Sequence, residues 1–82
     1  MSQVTLTLNG RSAVVDRSVV ESQIVKAEAQ IAELQARMAA RHAAHKAKPI
    51  TSDAEQAAAD GRTAADVARY SDLVAACRTA LQ

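Results

Sequence analysis

Steps of four and three residues separate the aliphatic side chains of one long segment, and this spacing constrains the fold more than any other feature. The series is Val20, Ile24, Ala27, Ile31, Leu34 and Met38. Such a repeat forms one apolar stripe along an α-helix and is typical of helices that pair side by side. It predicts a long helix whose stripe packs against a partner.

A second series with the same spacing supplies that partner within the chain. It consists of Val67, Tyr70, Val74, Cys77 and Leu81. Pro49 predicts that the first helix ends at or before Lys48. We therefore predict helices over residues 19–47 and 53–81 that run antiparallel, with Gly61 as a weak point of the second.

Antiparallel pairing brings the two ends of the predicted helices together in a defined order. Val20 is expected near Leu81, and Ile24 near Cys77. Close to the connecting loop, the pairing is expected to bring together alanines, which are Ala40, Ala43, Ala44, Ala57, Ala58 and Ala59.

Both predicted helices are preceded by the S-x-x-E pattern of a capping box, in which a serine side chain bonds the first turn of the helix. The first pair is Ser18 and Glu21, and the second is Ser52 and Glu55. The pattern predicts that each serine caps its helix.

The segment before the helices has the alternation of a half-buried strand followed by a tight turn. Asn9-Gly10 is a residue pair preferred in a type I′ turn, so residues 3–16 are predicted to form a β-hairpin. Its aliphatic face comprises Val4, Leu6, Leu8, Ala13 and Val15. The predicted fold is α+β, mainly α: a two-stranded N-terminal hairpin and a coiled-coil-like antiparallel helical hairpin in a single domain, 1–82.

The composition predicts a thin core for a chain of 82 residues. Hydrophobic residues make up 49% of the sequence, but many are alanine, and Tyr70 is the one aromatic residue. Alanine buries little apolar area, and one cysteine cannot form a disulfide within the chain. Small chains of this kind usually need a staple or a partner. We therefore expect a homo-oligomer that also contacts other protein subunits.

The expected oligomer and partner contacts lie on the helical seams and on the hairpin, where residues 3–8 or 11–15 could pair with a strand of a neighbour. The predicted interface residues are Val4, Leu6, Leu8, Val15, Ile24, Ile31, Leu34, Val67 and Val74.

The end of the first helix reads RMAARHAAHKAK and is basic. Its Arg37, Arg41, Lys46 and Lys48 could contact phosphates, so a nucleic-acid-binding protein is one alternative. The net charge of +1, the absence of interleaved aromatics and the lack of a recognised motif favour other readings.

Residues that could support chemistry do not form a convincing site. His42 and His45 share a helix face, but a stable metal site needs more ligands. Cys77 falls on the apolar stripe, where a thiol behaves as a small hydrophobe. With no Gly-rich phosphate loop and no recognisable triad, we expect no enzyme, no metal, no cofactor and no small-molecule substrate.

No apolar run is long enough to span a bilayer, and the first residues lack the features of a secretory signal. The expectation is no membrane association and a cytoplasmic location in the producing cell, or incorporation into a virion.

Residues 4–35, VTLTLNGRSAVVDRSVVESQIVKAEAQIAELQ, combine a hairpin with an NGR turn and an IAELQ helix. This stretch resembles the hairpin-and-helix half of the head-to-tail joining protein W family of lambda-like phages. That family has a helix before its hairpin, whereas this chain has its second helix afterwards. The resemblance implies a small subunit in a ring or connector of a phage particle, without catalytic residues.

Three functions follow as hypotheses. The first is a non-enzymatic assembly or structural protein of a phage or mobile element, of the connector or head–tail type. The second is a small regulator or inhibitor that binds a host protein through the same apolar face. The third is a nucleic-acid-binding protein that uses the basic end of the first helix.

Overall fold

The structure, a computed structural model that describes residues 2–82, is a β-hairpin followed by two long helices. Strand β1 is Gln3–Leu8 and strand β2 is Arg11–Asp16, while helix α1 is Arg17–Ala47 and helix α2 is Asp53–Leu81. The predicted class, α+β and mainly α with an N-terminal hairpin, is confirmed.

The hairpin has the turn and the register that its sequence predicts. Asn9 and Gly10 have φ angles of 53° and 77°, as a type I′ turn requires at both central positions. Leu6 pairs with Ala13 and Val4 with Val15. The threonines share the opposite face, where Thr7 Oγ1 lies 2.8 Å from Ser12 Oγ.

Helix α1 begins two residues earlier than predicted, and the predicted Ser18 cap is wrong. Asp16 occupies the N-cap position without a side-chain cap hydrogen bond. Strand β2 runs directly into the helix, and the Arg17 N–H donates to the Ser2 carbonyl at 2.9 Å. The strand ladder thus satisfies a backbone donor at the junction, and Ser18 lies within the first helical turn.

The loop between the helices follows the sequence signals closely. Helix α1 ends at Ala47, two residues before Pro49, because proline disfavours helical backbone in the residue before it. Ser52 Oγ accepts a hydrogen bond from the Glu55 N–H at 3.1 Å, so the second cap is confirmed. Helix α2 is continuous through Gly61.

Replacing Gly61 with alanine should stabilise the protein by about 0.5–1 kcal/mol, since glycine loses more backbone freedom in a helix. A Cβ at position 61 would meet no atom within 4 Å. The measurement is urea unfolding followed by circular dichroism. Gly10→Ala is the matched control and should destabilise, because Gly10 has positive φ; equal effects at both sites would contradict this assignment.

The two helices pack against each other along their length and bury few side chains. The molecule measures 54 × 22 × 14 Å along its principal axes. Within residues 2–82 the buried hydrophobic side chains are those of Val20, Ala27, Val74 and Cys77. All four lie on the predicted stripes, at the end of the helical pair that adjoins the hairpin.

The hairpin packs mainly through β1, which lies over helix α2. Val4, Leu6 and Leu8 are half-buried, alternating with exposed neighbours. At the turn, Leu8 lines a surface depression together with Tyr70 and Leu73. Strand β2 has fewer helical neighbours, and these belong to α1.

Candidate interaction surfaces

The predicted interface residues of the helices lie between α1 and α2. Val74 is buried, whereas Ile24, Ile31, Leu34 and Val67 are half-buried. Their stripes therefore build the contact within the chain. Because two helices enclose a stripe incompletely, its flanks remain accessible to a partner.

The stripe changes character towards the connecting loop. On α1 the spacing continues from Met38 to Arg41 and His45, and on α2 it continues back from Val67 to Thr63, Asp60 and Gln56, none of which is fully exposed. The alanines predicted to meet here do not form the contact: Ala40, Ala43, Ala44, Ala57 and Ala58 are exposed, and Ala59 is half-buried. The loop end of the helical pair is thus joined by polar side chains, which we call the polar end.

Arg41 is the central residue of the polar end. Its Nη2 donates to Asp60 Oδ1 at 3.0 Å and to Thr63 Oγ1 at 3.2 Å. His42 Nε2 lies 2.7 Å from Asp60 Oδ2. The hydrogen bond from Arg41, and then that from His42, hold the pKa of the Asp60 carboxyl below its ordinary value.

This lowered pKa makes stability depend on pH in a defined direction. The contribution of Asp60 is fully present above its unfolded pKa, about 3.9, and is lost as the pH falls through the lower folded value. The difference in unfolding free energy between the parent and Asp60→Asn should therefore shrink between about pH 5 and pH 2. Urea unfolding across this range measures it.

Asp72→Asn provides the control for this titration. Asp72 is exposed and, within residues 2–82, takes part in no side-chain hydrogen bond or ion pair. Its substitution should leave the pH profile close to that of the parent. A constant difference between the parent and Asp60→Asn over the same range would contradict the role of the Arg41 contact.

The two histidines contact separate carboxylates. His45 Nε2 lies 3.3 Å from Asp53 Oδ1, whereas His42 contacts Asp60. Across residues 2–82 no three His, Cys, Asp or Glu side chains are grouped so that they could hold a metal ion. Both contacts join α1 to α2.

The predicted phosphate-binding residues do not form one free basic surface. Arg37 pairs with Glu33 on the same helix, and Arg41 is engaged at the polar end. Lys46 and Lys48 are exposed, and no ion pair involves either of them in the part of the chain that the structure describes.

Cys77 lies inside the helical pair, and its side chain is fully buried. Burial raises the pKa of its thiol. A buried thiol with a raised pKa is a poor nucleophile, so Cys77 acts as a core residue.

The outer face of α1 carries a second stripe that the sequence analysis missed. Its members are all exposed and comprise Val25, Ala29, Ala32, Ala36, Ala39 and Ala43. They recur at the same steps of four and three, on the side of α1 away from α2. Small side chains let another helix approach closely. The spacing is present in the sequence, but five of the six residues are alanine, which is common on exposed helix faces and does not by itself mark a contact.

Strand β2 is the more exposed part of the hairpin. Residues 11–14 are exposed on both faces of the strand, and Val14 retains 64% of its accessible surface. On the predicted aliphatic face of the hairpin, Val15 and the three aliphatic residues of β1 are half-buried, whereas Ala13 is exposed. The helices therefore do not cover the middle of β2.

The hairpin register also fixes which backbone groups point outwards. In an antiparallel ladder, alternate residue pairs exchange hydrogen bonds. The hydrogen bond from Arg17 N–H to Ser2 O shows which pairs belong to the bonded set. They are Ser2–Arg17, Val4–Val15, Leu6–Ala13 and Leu8–Arg11. The outward N–H and C=O groups are those of Gln3, Thr5 and Thr7 on β1, and of Ser12, Val14 and Asp16 on β2.

The accessible surface is large for a chain of this mass. It measures 5818 Å², whereas a compact monomer of 8.6 kDa has about 4,700 Å². The elongated shape thus exposes more surface than a compact fold of the same mass.

No family model, curated protein or solved structure matches this chain. None of the helices within residues 2–82 has the length and apolar character needed to cross a membrane.

Proposed function

We propose that this chain is a non-enzymatic assembly protein, a small subunit that is completed by contacts with further copies and with other protein subunits. The observation that carries the proposal is the thin core: four hydrophobic side chains are buried within residues 2–82, against an accessible surface of 5818 Å². Small domains with so little buried area usually gain stability from a partner.

Two exposed surfaces support this function. The outer stripe of α1 offers small side chains to a neighbouring helix, and β2 offers backbone groups to a neighbouring strand. Both are suited to protein contacts that repeat from one copy to the next.

The resemblance of residues 4–35 to the head-to-tail joining protein W family supports a more specific proposal. The chain would be a structural subunit of a phage or mobile element, of the connector or head–tail type. Mass spectrometry of particles purified from the producing cell tests this proposal, which requires the chain in stoichiometric amounts within particles. Its presence only in the particle-free fraction would contradict it.

Light scattering after size-exclusion chromatography, over a series of concentrations, tests the general function. We expect a multimer larger than a dimer, because the α1 stripe and the β2 edge are separate contacts. A dimer or a monomer at every concentration would overturn the proposal and favour the regulator hypothesis. Salt-sensitive binding of DNA, lost when Lys46 and Lys48 are changed to Gln, would favour the nucleic-acid hypothesis instead.

A further inference from the structure

We infer that the partner of strand β2 is a second copy of this chain, which pairs antiparallel to it so that the two hairpins form one four-stranded sheet centred on Val14. The inference rests on the proposed function, because it takes self-association as given, and it names the edge, the occupant and the register.

Strand β2 is an edge without the usual protection. Natural edge strands are commonly blunted by proline, a bulge, an inward-pointing charge or a covering element. The six residues of β2 pair regularly with β1 and include no proline. Its charged residues, Arg11 and Asp16, stand at the two ends, so residues 12–15 form an uncharged stretch that a neighbouring strand can reach.

The outward backbone groups determine the register of such a pair. Both strands must present outward residues to each other, which on β2 are the even-numbered positions. An antiparallel pair about a two-fold axis at Val14 meets this condition. Val14 then lies opposite Val14 of the second copy, and Ser12 lies opposite Asp16 of the second copy.

The side chains of β2 suit this arrangement. The two exposed valines meet at the axis and bury apolar surface that is 64% accessible in each copy. The serine hydroxyl at position 12 can donate to the carboxylate opposite it. Ser12 and Asp16 lie on the same face of β2, so antiparallel pairing forms this contact twice, once on each side of the two-fold axis. Parallel pairing in register would instead place Asp16 beside Asp16 of the second copy, which is unfavourable.

The β1 edge is less suited to the same role. It carries no exposed apolar side chain, since its outward residues are Gln3, Thr5 and Thr7 and its aliphatic residues face α2. It also has no carboxylate that could accept a hydrogen bond from a facing hydroxyl. Variants of the β1 edge can therefore serve as controls for variants of the β2 edge.

Paired variants of the two edges test the inference. Val14→Pro removes an outward N–H of β2. Thr5→Pro removes an outward N–H of β1, and Thr5 is the residue that pairs with Val14 within the hairpin. Proline is tolerated at such edge positions. In light scattering at equal concentration, Val14→Pro should reduce the mass at least two-fold, whereas Thr5→Pro should leave it at the parental value.

A cross-link provides a second measurement that does not depend on a proline. Residues at the two-fold axis have Cα atoms about 5.5 Å apart, within the range of a disulfide. Val14→Cys should therefore oxidise to a covalent dimer, while Thr5→Cys and the parent, whose Cys77 is buried, should stay uncross-linked. If Val14→Pro loses its helical circular dichroism signal, the cross-linking experiment alone tests the β2 pairing.

The outcomes separate this inference from the proposed function. A multimeric parent whose mass is unchanged by Val14→Pro, or that cross-links through Thr5→Cys instead, overturns the β2 pairing and leaves the assembly function standing. A dimeric parent that becomes monomeric with Val14→Pro supports the pairing and overturns the larger assembly. A parent that is monomeric at every concentration overturns both.

Discussion

Val20→Asp should unfold the protein, so that its far-ultraviolet circular dichroism at 25 °C loses the signal of α1 and α2. Val20 is fully buried between the helices and next to the hairpin. A carboxylate at that position would lie away from water between the helices, a change that belongs to the rare class costing more than about 4–5 kcal/mol. Chains of this length have total stabilities of roughly 4–12 kcal/mol, and a core of four buried hydrophobic side chains within residues 2–82 places this one towards the low end, where such a cost is enough to unfold it.

Val19→Asp is the matched control for this substitution. Val19 precedes Val20 in the first turn of α1 and retains 47% of its accessible surface. A carboxylate there lies near the positive end of the helix dipole, where anions are mildly stabilising. The helical signal and the urea midpoint of Val19→Asp should stay close to those of the parent. All variants are compared at one fixed protein concentration, because association contributes to apparent stability. Cooperative unfolding of Val20→Asp at the parental midpoint would show that Val20 is not part of the core.

The hairpin and the start of the second helix are the parts of the fold that local sequence signals define. Alternation in β1 and the Asn9-Gly10 turn fix one register, because a slip of one residue would turn the aliphatic face outwards. Pro49 and the Ser52 cap fix the connection between the helices. Each of these signals depends on residues within a few positions of each other.

The start of α1 could not be predicted from its capping pattern. Ser18 and Glu21 match the capping box, but β2 continues as far as Asp16 and the next residue already begins the helix. The deciding contact is the hydrogen bond from Arg17 N–H to Ser2 O. It joins the residue just before β1 to the residue just after β2, which are far apart in the sequence but face each other at the open end of the hairpin. Local patterns do not report a contact of that separation.

The polar end was missed for a different reason, since its spacing was present in the sequence. Continuing the steps of four and three from Met38 leads to Arg41 and His45, and continuing them from Val67 leads to Thr63 and Asp60. A search restricted to apolar residues stops where the stripe becomes polar. The alanines chosen instead lie off the stripe, and all of them except the half-buried Ala59 are exposed.

The candidate surfaces were predictable to a lesser extent. The sequence identified the hairpin edge and the need for a partner, both of which follow from composition and strand length. It could not show which strand the helices leave uncovered. That depends on β1 packing over α2, a long-range arrangement that leaves Ala13 exposed although it belongs to the aliphatic face.

Replacing Arg41 and Asp60 together with leucine should stabilise the monomer fold, although either replacement alone should destabilise it. The ion pair joins the helices at 3.0 Å, with side chains about one-third exposed, at 30% and 33%. Arg41→Leu alone leaves Asp60 without the guanidinium and should lower the urea midpoint, although partial exposure and the contact with His42 limit the loss. The double variant continues the apolar stripe of both helices towards the loop, and replacing a buried ion pair with apolar residues is often neutral or stabilising. Because this pair is only partly buried, the expected rise of the midpoint is small.

The exposed pair on α1 provides the control for this cycle. Arg37 and Glu33 form an ion pair within one helix, and their side chains are 68% and 49% exposed. Replacing both with leucine should change the unfolding free energy by less than about 0.5 kcal/mol, since exposed pairs contribute little. Urea midpoints of the two double variants and their single variants measure the coupling. A double variant of Arg41 and Asp60 that is less stable than both of its single variants would mean that the polar end stabilises the helical pair better than an apolar contact could, because hydrogen bonds to Thr63 and His42 add to the ion pair.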